Sequence, residues 1–146
     1  MRILLVNSYY EPLKGGGTEV LLTILAKGLV ARGHEVCVVA IGAGDPPHSG
    51  DVDGVHVVRV KMRNIYWPLG GKNQPKWKRA IWHAIDIYNP WAAADVLREA
   101  RRFAPDVISV HNLQGLSSAA WPALRKLGVV RTGYDHVMLR DNLRAF

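Results

Sequence analysis

Residues 2–41 read RILLVNSYYEPLKGGGTEVLLTILAKGLVARGHEVCVVAI, and this stretch decides the fold. An apolar run at 2–6 predicts a strand, and apolar residues at helical spacing over 18–33 predict a helix. The run HEVCVVAIG at 34–42 has no polar alternation, which is typical of a parallel strand covered on both faces. The stretch therefore predicts a strand, a glycine-rich loop, a helix and a second strand.

The predicted helix has one leucine-rich face and recognisable ends. Thr18 is its predicted N-cap, Glu19 suits the positive helix N-terminus, and Gly33 is its predicted stop. The leucine-rich face consists of Leu21, Ile24, Leu25 and Leu29.

The rest of the chain continues the alternation of short β-branched runs and longer helical segments. Strands are predicted at 55–60, 106–110 and 129–132. Helices are predicted at 76–88, 90–103 and 117–127, the second of them capped by Asn89 with Pro90 in its first turn. Residues 44–54 are predicted to be a loop, and residues 61–76 a loop or insertion. This order predicts one α/β domain over 1–146, with a Rossmann-like, doubly wound, mostly parallel sheet.

Polar loops are predicted beyond the carboxyl ends of the strands, where open α/β sheets bind their ligands. The loop predicted after the strand at 106–110 contains His111 and Asn112. Two interpretations stay open for this pair: contact with a substrate, and structural hydrogen bonds to a neighbouring loop. The loop predicted after the strand at 129–132 contains Asp135 and His136. These two neighbours would point in opposite directions on an extended segment, so they could not form one acid–base unit.

The loop predicted between the strand at 2–6 and the helix at 18–33 contains Gly15, Gly16 and Gly17. Glycines allow a ligand to approach the backbone, and the amides that open the next helix favour an anion. Neither G-x-G-x-x-G directly after the strand nor G-x-x-x-x-G-K-[ST] is present. From these residues alone, two interpretations of the glycine loop stay open: a phosphate site and a tight turn.

Two longer stretches resemble family 4 glycosyltransferases. YYEPLKGGGTEVLLTILAKGLVARGHEVCVVA is similar to that family's N-terminal signature, which commonly reads Y-x-P-x-x-G-G-x-E, then L-A-x-x-L, then G-H-E-V-x-V. FAPDVISVHNLQGLSSAAWPALRKLGV is similar to a later stretch, in which P-D-V precedes a strand that ends in a His-containing turn. The two stretches occur in the family's order and cover about half of the chain.

The resemblance implies one half of a GT-B architecture, the half that mainly binds the acceptor. It implies transfer of a sugar from a nucleotide-diphosphate sugar, with retention and without a metal or other cofactor. Gly15, Gly16 and Gly17 would border the donor diphosphate, and His111 and Asn112 would position a sugar or lipid-linked acceptor. Asp135 or His136 would contact the transferring sugar, although Tyr134 falls where the family's histidine is expected.

The resemblance does not extend to the donor-binding half. The family's paired-glutamate motif belongs to that half, whereas the last of the four glutamates in this chain is Glu99. The chain is therefore expected to be part of a hexosyl-type glycosyltransferase, incomplete alone, that needs a C-terminal domain or a partner subunit. The alternative is a non-catalytic Rossmann-like module that docks to a membrane surface or a partner protein.

A basic and aromatic segment over 59–82 is the main charge feature of this chain of net charge +7. Its cations are Arg59, Lys61, Arg63, Lys72, Lys76, Lys78 and Arg79, and its aromatic residues are Tyr66, Trp67, Trp77 and Trp82. One interpretation is a solvated face with the aromatic residues in the core. The other is a peripheral membrane contact, because Trp, Tyr and cations favour an anionic bilayer surface. No nucleic-acid-binding module accompanies the segment, so no nucleic-acid partner is expected.

Cysteine and histidine usage argues against redox and metal chemistry. Cys37 is the only cysteine and lies in an apolar run, and His34, His48, His56 and His83 show no metal-ligand spacing. No apolar run reaches the roughly 18 to 20 residues of a membrane span, and no signal-peptide pattern opens the chain. A cytoplasmic location is expected, with peripheral contact at the inner membrane surface as the membrane alternative.

Overall fold

The computed structural model describes residues 1–13, 16–42, 48–67 and 74–133. The strands are β1 (Arg2–Asn7), β2 (Glu35–Gly42), β3 (His48–Val52), β4 (Val55–Lys61), β5 (Val107–Asn112) and β6 (Val130–Gly133). The helices are α1 (Gly17–Ala31), α2 (Lys76–Ile87), α3 (Pro90–Phe103) and α4 (Ala120–Arg125).

The strands form one sheet in the order β3-β4-β2-β1-β5-β6. Every neighbouring pair is parallel except β3 and β4, which are antiparallel. The prediction of a Rossmann-like, mostly parallel α/β sheet is confirmed. In this order β1 lies between β2 and β5, so the strand order reverses beside β1.

Helices cover both faces of the sheet. Leu4 and Val6 face one apolar cluster, to which α3 contributes Val96 and Ala100. The alternate residues of β1 face a second cluster, to which α1 contributes Leu22 and Ala26. Because successive residues of a strand point to opposite faces, the unbroken apolar runs of β1 and β2 supply both clusters.

The leucine-rich face of α1 is not the face that packs on the sheet. Its buried residues are Glu19, Leu22, Thr23 and Ala26, whereas Leu21 and Ile24 are exposed. Apolar residues surround most of this helix, so periodicity alone could not select the buried stripe. The predicted N-cap was also wrong: Gly16 occupies that position and Thr18 lies inside the helix.

Two strand boundaries differ from the prediction. The segment 48–52, predicted as loop, is the edge strand β3, which turns into β4 through Asp53 and Gly54, both with positive φ. Its first four residues are exposed and none of them is a large apolar residue, so β3 shows no hydrophobic alternation in the sequence. Strand β5 extends to Asn112, so His111 and Asn112 are its last residues and do not lie in a loop.

The predicted start of α3 is confirmed. Asn89 is its N-cap, and the Asn89 side chain accepts a hydrogen bond from the amide of Ala92 at 3.1 Å. Pro90 stands in the first turn, where no intrahelical donor is lost. Helix α4 is shorter than predicted and contains Pro122 in its first turn.

Gly42 provides a test of how closely β2 and β4 pack. A Cβ at Gly42 would lie 2.9 Å from the Cβ of Arg59, and the Arg59 guanidinium is itself held by the carbonyl of Glu11. We expect Gly42→Ala to lower the free energy of unfolding by about 2 kcal/mol, because the two backbones must separate. Gly50→Ala on β3 is the matched control, since a Cβ there meets no described atom within 4 Å. Urea unfolding measures both variants, and equal midpoints would contradict the close packing.

Candidate functional site

The carboxyl ends of β1 and β5 meet where the strand order reverses, the position at which doubly wound sheets bind ligands. Asn7 ends β1 and is paired with Asn112 at the end of β5, after a register shift between Val6 and Asn7. The hydroxyl of Ser8 donates to the carbonyl of Asn112 at 3.2 Å. This contact joins the ends of the two strands below the crevice.

The start of α1 closes one side of the crevice. Glu19 is buried, and its Oε1 is 3.5 Å from Nδ2 of Asn7, which also donates to the carbonyl of Tyr9 at 2.7 Å. The other carboxylate oxygen lies 3.7 Å from where a Cβ at Gly16 would stand. Glu19 therefore folds back over the first turn of its own helix and connects the glycine loop to β1.

Two buried polar atoms at the crevice have no hydrogen-bond partner among the described residues. They are Oδ1 of Asn7 and the hydroxyl of Tyr9. Burial raises the pKa of Tyr9, and the charges of Glu19 and Asp86 raise it further. The phenol is therefore a neutral hydrogen-bond donor at physiological pH. A buried acceptor and a buried donor without partners are features of a site that receives a polar ligand or water.

The fold does not itself require glycine at positions 16 and 17. The φ of Gly16 is 174°, which is extended backbone that any residue adopts, and Gly17 is the first residue of α1. Among the described atoms, a Cβ at Gly17 would meet nothing within 4 Å. The tight-turn interpretation therefore gives no reason for glycine at these two positions, whereas close approach of a ligand does.

His111 is half-buried at the end of β5, and its Nε2 is 3.1 Å from the hydroxyl oxygen of Ser109. Burial holds the pKa of His111 below its usual value, so the imidazole is neutral near pH 7. The side-chain oxygen of the neighbouring Asn112 accepts from the amide of Gln114 at 3.0 Å. That oxygen shapes the turn after β5, and Nδ2 of Asn112 has no hydrogen bond to another described residue.

A buried carboxylate fixes the far wall of the crevice. Asp86, on the last turn of α2, accepts at Oδ1 from the amide of Gly115 at 2.8 Å. Its backbone carbonyl accepts from the amide of Ser118 at 3.1 Å. The hydroxyl of Ser117 accepts from the amide of Asn89 at 2.8 Å. These bonds attach the loop after β5 to the junction of α2 and α3.

The structure brings four of the predicted site residues to one edge of the sheet: Gly16, Gly17, His111 and Asn112. Gly15, Asp135 and His136 lie outside the described residues. Within the described part of the chain, no group of three His, Cys, Asp or Glu side chains could hold a metal ion. Cys37 is buried, and burial raises the pKa of its thiol to about 12.

Residues of the site that the sequence did not reveal are Asn7, Tyr9 and Asp86. Asn7 directly follows the first apolar run, at the carboxyl end of the predicted strand. Its position in the sequence could therefore have identified it as a site residue. The position of Asp86 depends on a contact between residues 29 apart in the chain. The sequence offers no signal for a contact of that kind.

Part of the basic and aromatic segment over 59–82 is structural, whereas Lys76, Trp77 and Arg79 are exposed. Arg59 is buried, and Arg63 forms an ion pair with Asp95, with Nε and Oδ2 2.5 Å apart. Trp82 is buried and its indole donates to the carbonyl of Tyr66 at 2.8 Å. Burial of Trp82 agrees with the interpretation that places aromatic residues of this segment in the core, whereas Trp77 is exposed.

A cavity of about 520 Å³ lies at the opposite edge of the sheet. Its charged lining includes Arg2 and Glu35 at the amino ends of β1 and β2, together with Glu99 and Arg102 from the end of α3. Ligand sites of open α/β sheets lie at the carboxyl ends. We therefore assign the candidate site to the crevice and not to this cavity.

The fold and the crevice define a Rossmann-like domain with a candidate ligand site at the reversal of strand order. A family model described as a glycosyl transferase 4-like domain matches residues 16–142. The chain belongs to this glycosyl transferase 4-like family, and the resemblance inferred from its motifs is confirmed.

Two relatives match the chain, and the name of one of them is that of a glycosyltransferase. An uncharacterised 42.6 kDa protein in the cps region of Klebsiella pneumoniae is 33% identical over 148 residues, covering 100% of this chain and 40% of that protein. An uncharacterised glycosyltransferase of Methanocaldococcus jannaschii is 41% identical over 61 residues, which are 42% of this chain and 15% of that protein. The chain thus spans less than half the length of either relative.

Solved structures share the fold at low sequence identity. Sucrose-phosphate synthase from Thermosynechococcus elongatus matches 91% of this chain and 32% of its own chain, with a TM-score of 0.62 and 15% identity. A C-terminal domain of a hydrogenase from Pyrococcus furiosus also matches, with a TM-score of 0.51, 12% identity, and coverage of 92% of this chain and 90% of that domain. Since proteins with such different names share the fold, the fold alone does not decide the activity.

Proposed function

We propose that this chain is the acceptor-side domain of a glycosyltransferase that transfers a sugar from a nucleotide-diphosphate sugar to an acceptor. The transfer retains the anomeric configuration, needs no metal or other cofactor, and requires a facing C-terminal half. The observation that carries the proposal is the family match over residues 16–142, joined to a crevice whose glycines the fold does not require.

The side chains identified at the crevice explain why a facing half is needed. Asn7, Tyr9, Glu19 and Asn112 are neutral or acidic, whereas a departing nucleoside diphosphate accumulates negative charge. Preorganised donors and cations must meet that charge. The first amides of α1 and its positive dipole supply a part of this stabilisation. The cations have to come from the opposite side of the crevice.

The acceptor would use the polar groups that have no partner among the described residues. The Tyr9 hydroxyl can donate to an acceptor oxygen, and Oδ1 of Asn7 can accept from an acceptor hydroxyl. Neutral His111 at the end of β5 can do either. Gly15, Asp135 and His136 keep their proposed roles at the diphosphate and the transferring sugar. Either a sugar or a lipid-linked acceptor suits this arrangement.

A two-part experiment tests the proposal. The DNA after the codon for Phe146, and the neighbouring reading frame, is first read for a second α/β domain with the paired-glutamate and basic motifs. The protein is then produced with that domain, and nucleoside diphosphate release from UDP-, GDP- and ADP-sugars is measured with acceptor sugars, with and without EDTA. We expect release that needs both halves and persists in EDTA. Absence of a second half would contradict the need for a facing domain. Release abolished by EDTA would contradict transfer without a metal.

A further inference from the structure

Six large apolar side chains form an exposed surface on α2, α3 and α4, on the side of the sheet opposite α1. This surface, termed the aromatic ridge, consists of Trp77, Ile81, Ile87, Tyr88, Trp91 and Trp121. Trp77, Tyr88 and Trp91 are 61%, 72% and 69% exposed. Single exposed apolar residues are ordinary, but a group of this size on adjacent elements indicates an interaction surface.

The orientation of α2 creates most of the ridge. Trp82 and Asp86 face the protein, and the indole of Trp82 donates to the carbonyl of Tyr66 at 2.8 Å. Trp77, Ile81, Ala84 and Tyr88 follow one another at helical spacing on the outer side, where all four are exposed. The helix is amphipathic, and an apolar stripe points away from the core.

The contributions of the three helices meet at one corner. Tyr88 directly follows α2 and Trp91 is the second residue of α3, with only Asn89 and Pro90 between them. Ser118 donates from its amide to the carbonyl of Asp86, and the amide of Trp121 donates to the carbonyl of Ser118 one turn later. Hydrogen bonds of the backbone therefore hold the first turn of α4 beside the junction of α2 and α3.

The charge around the ridge has one sign. Residues 74–94 and 117–128 contain Lys76, Lys78, Arg79, Arg125 and Lys126, and their only acidic residue is Asp86, which is buried. Among the described residues, no carboxylate pairs with Lys76 or Arg79. The Nζ of Lys78 lies 5.6 Å from the centre of the Trp77 ring. An anionic surface is the complement of this arrangement.

We propose that the aromatic ridge is a docking surface for an anionic phospholipid bilayer. Trp and Tyr favour the headgroup region, and each Lys or Arg near an anionic leaflet contributes roughly 1 kcal/mol. The ridge includes the α2–α3 junction that Asp86 ties to the loop after β5, so docking places the crevice beside the bilayer. Provided that the proposed function holds, the acceptor is then a membrane-anchored molecule.

Vesicle flotation tests the docking surface independently of any glycosyl transfer. The protein is mixed with vesicles of phosphatidylcholine alone, or of phosphatidylcholine and phosphatidylglycerol, at about 0.05 M and about 0.5 M salt. We expect the protein to float with the anionic vesicles at low salt, and the bound fraction to fall at high salt and on neutral vesicles.

Three variants locate the contact. Trp77→Ser with Trp91→Ser removes two exposed aromatic rings, and Lys76→Glu with Arg79→Glu reverses two charges. We expect each pair to weaken vesicle binding on the order of tenfold or more. Leu21→Ser with Ile24→Ser removes exposed apolar area from α1 and is the matched control, expected to bind as the parent does. All six side chains are exposed, so circular dichroism and melting temperatures should stay unchanged.

The outcomes separate the two proposals. Three results would overturn the docking surface: no flotation, equal flotation with neutral and anionic vesicles, or an equal loss of binding in the α1 control. A protein partner would then be the occupant to seek. Nucleoside diphosphate release with a soluble acceptor should be unaffected by the ridge variants. Failure of that activity in the parent protein would instead count against the proposed function.

Discussion

Asp86→Ala is expected to lower the free energy of unfolding by about 3 kcal/mol, the largest effect on stability among the variants considered. The carboxylate is 3% exposed and accepts the amide of Gly115 at 2.8 Å. Alanine leaves that buried donor without a partner and opens a void between α2 and the loop after β5. Chemical unfolding by urea measures the loss.

Asp86→Asn is the matched control for this prediction. Its side-chain oxygen can still accept from Gly115, so we expect it to recover about half or more of the stability lost in Asp86→Ala. Equal stability of the alanine variant and the parent would show that Asp86 does not hold the crevice wall. The ridge should also bind anionic vesicles more weakly in Asp86→Ala, because loss of the side-chain bond to Gly115 loosens the loop that leads into α4.

Gly17→Ala is expected to reduce glycosyl transfer on the order of 100-fold, because a methyl group at the start of α1 displaces the donor diphosphate by about 1 Å. The folded domain has room for this methyl group, since nothing described lies within 4 Å of it. The free energy of unfolding should therefore not decrease. The measurement is nucleoside diphosphate release by the protein with its facing half, together with urea unfolding of the same sample.

Gly28→Ala is the matched control on the same helix. A Cβ at Gly28 also meets nothing within 4 Å, and the residue lies inside α1, away from the crevice. We expect an increase in stability of about 0.5 to 1 kcal/mol and unchanged transfer. If Gly17→Ala also leaves transfer unchanged, the glycine loop does not border the diphosphate.

The sequence predicted the fold where burial on both faces of the sheet gives a continuous run of apolar residues. Both β1 and β2 are apolar at nearly every position because helices cover both faces of the sheet, and this pattern identified them. The strand β3 was missed because an exposed edge strand carries no such pattern. The buried stripe of α1 was missed because the helix has apolar residues on more than one side.

The site was predictable only where its residues are neighbours in the chain. The glycines at the start of α1 and the His-Asn pair at the end of β5 were recognised, and the sheet brings Gly16, Gly17, His111 and Asn112 to one edge. The contact between Asn7 and Glu19, and the anchoring of the loop after β5 by Asp86, depend on tertiary packing. Burial of Arg59 and Trp82 within the basic and aromatic segment has the same origin.

Hydrogen exchange of the protein with its facing half, with and without a nucleotide-diphosphate sugar, tests the central claim most directly. That claim is that the carboxyl ends of β1 and β5 form the donor-facing crevice. We predict that the sugar nucleotide slows amide exchange in residues 7–19 and 111–118. Slower exchange confined to the charged cavity at the amino ends, around Arg2 and Glu35, would contradict the claim.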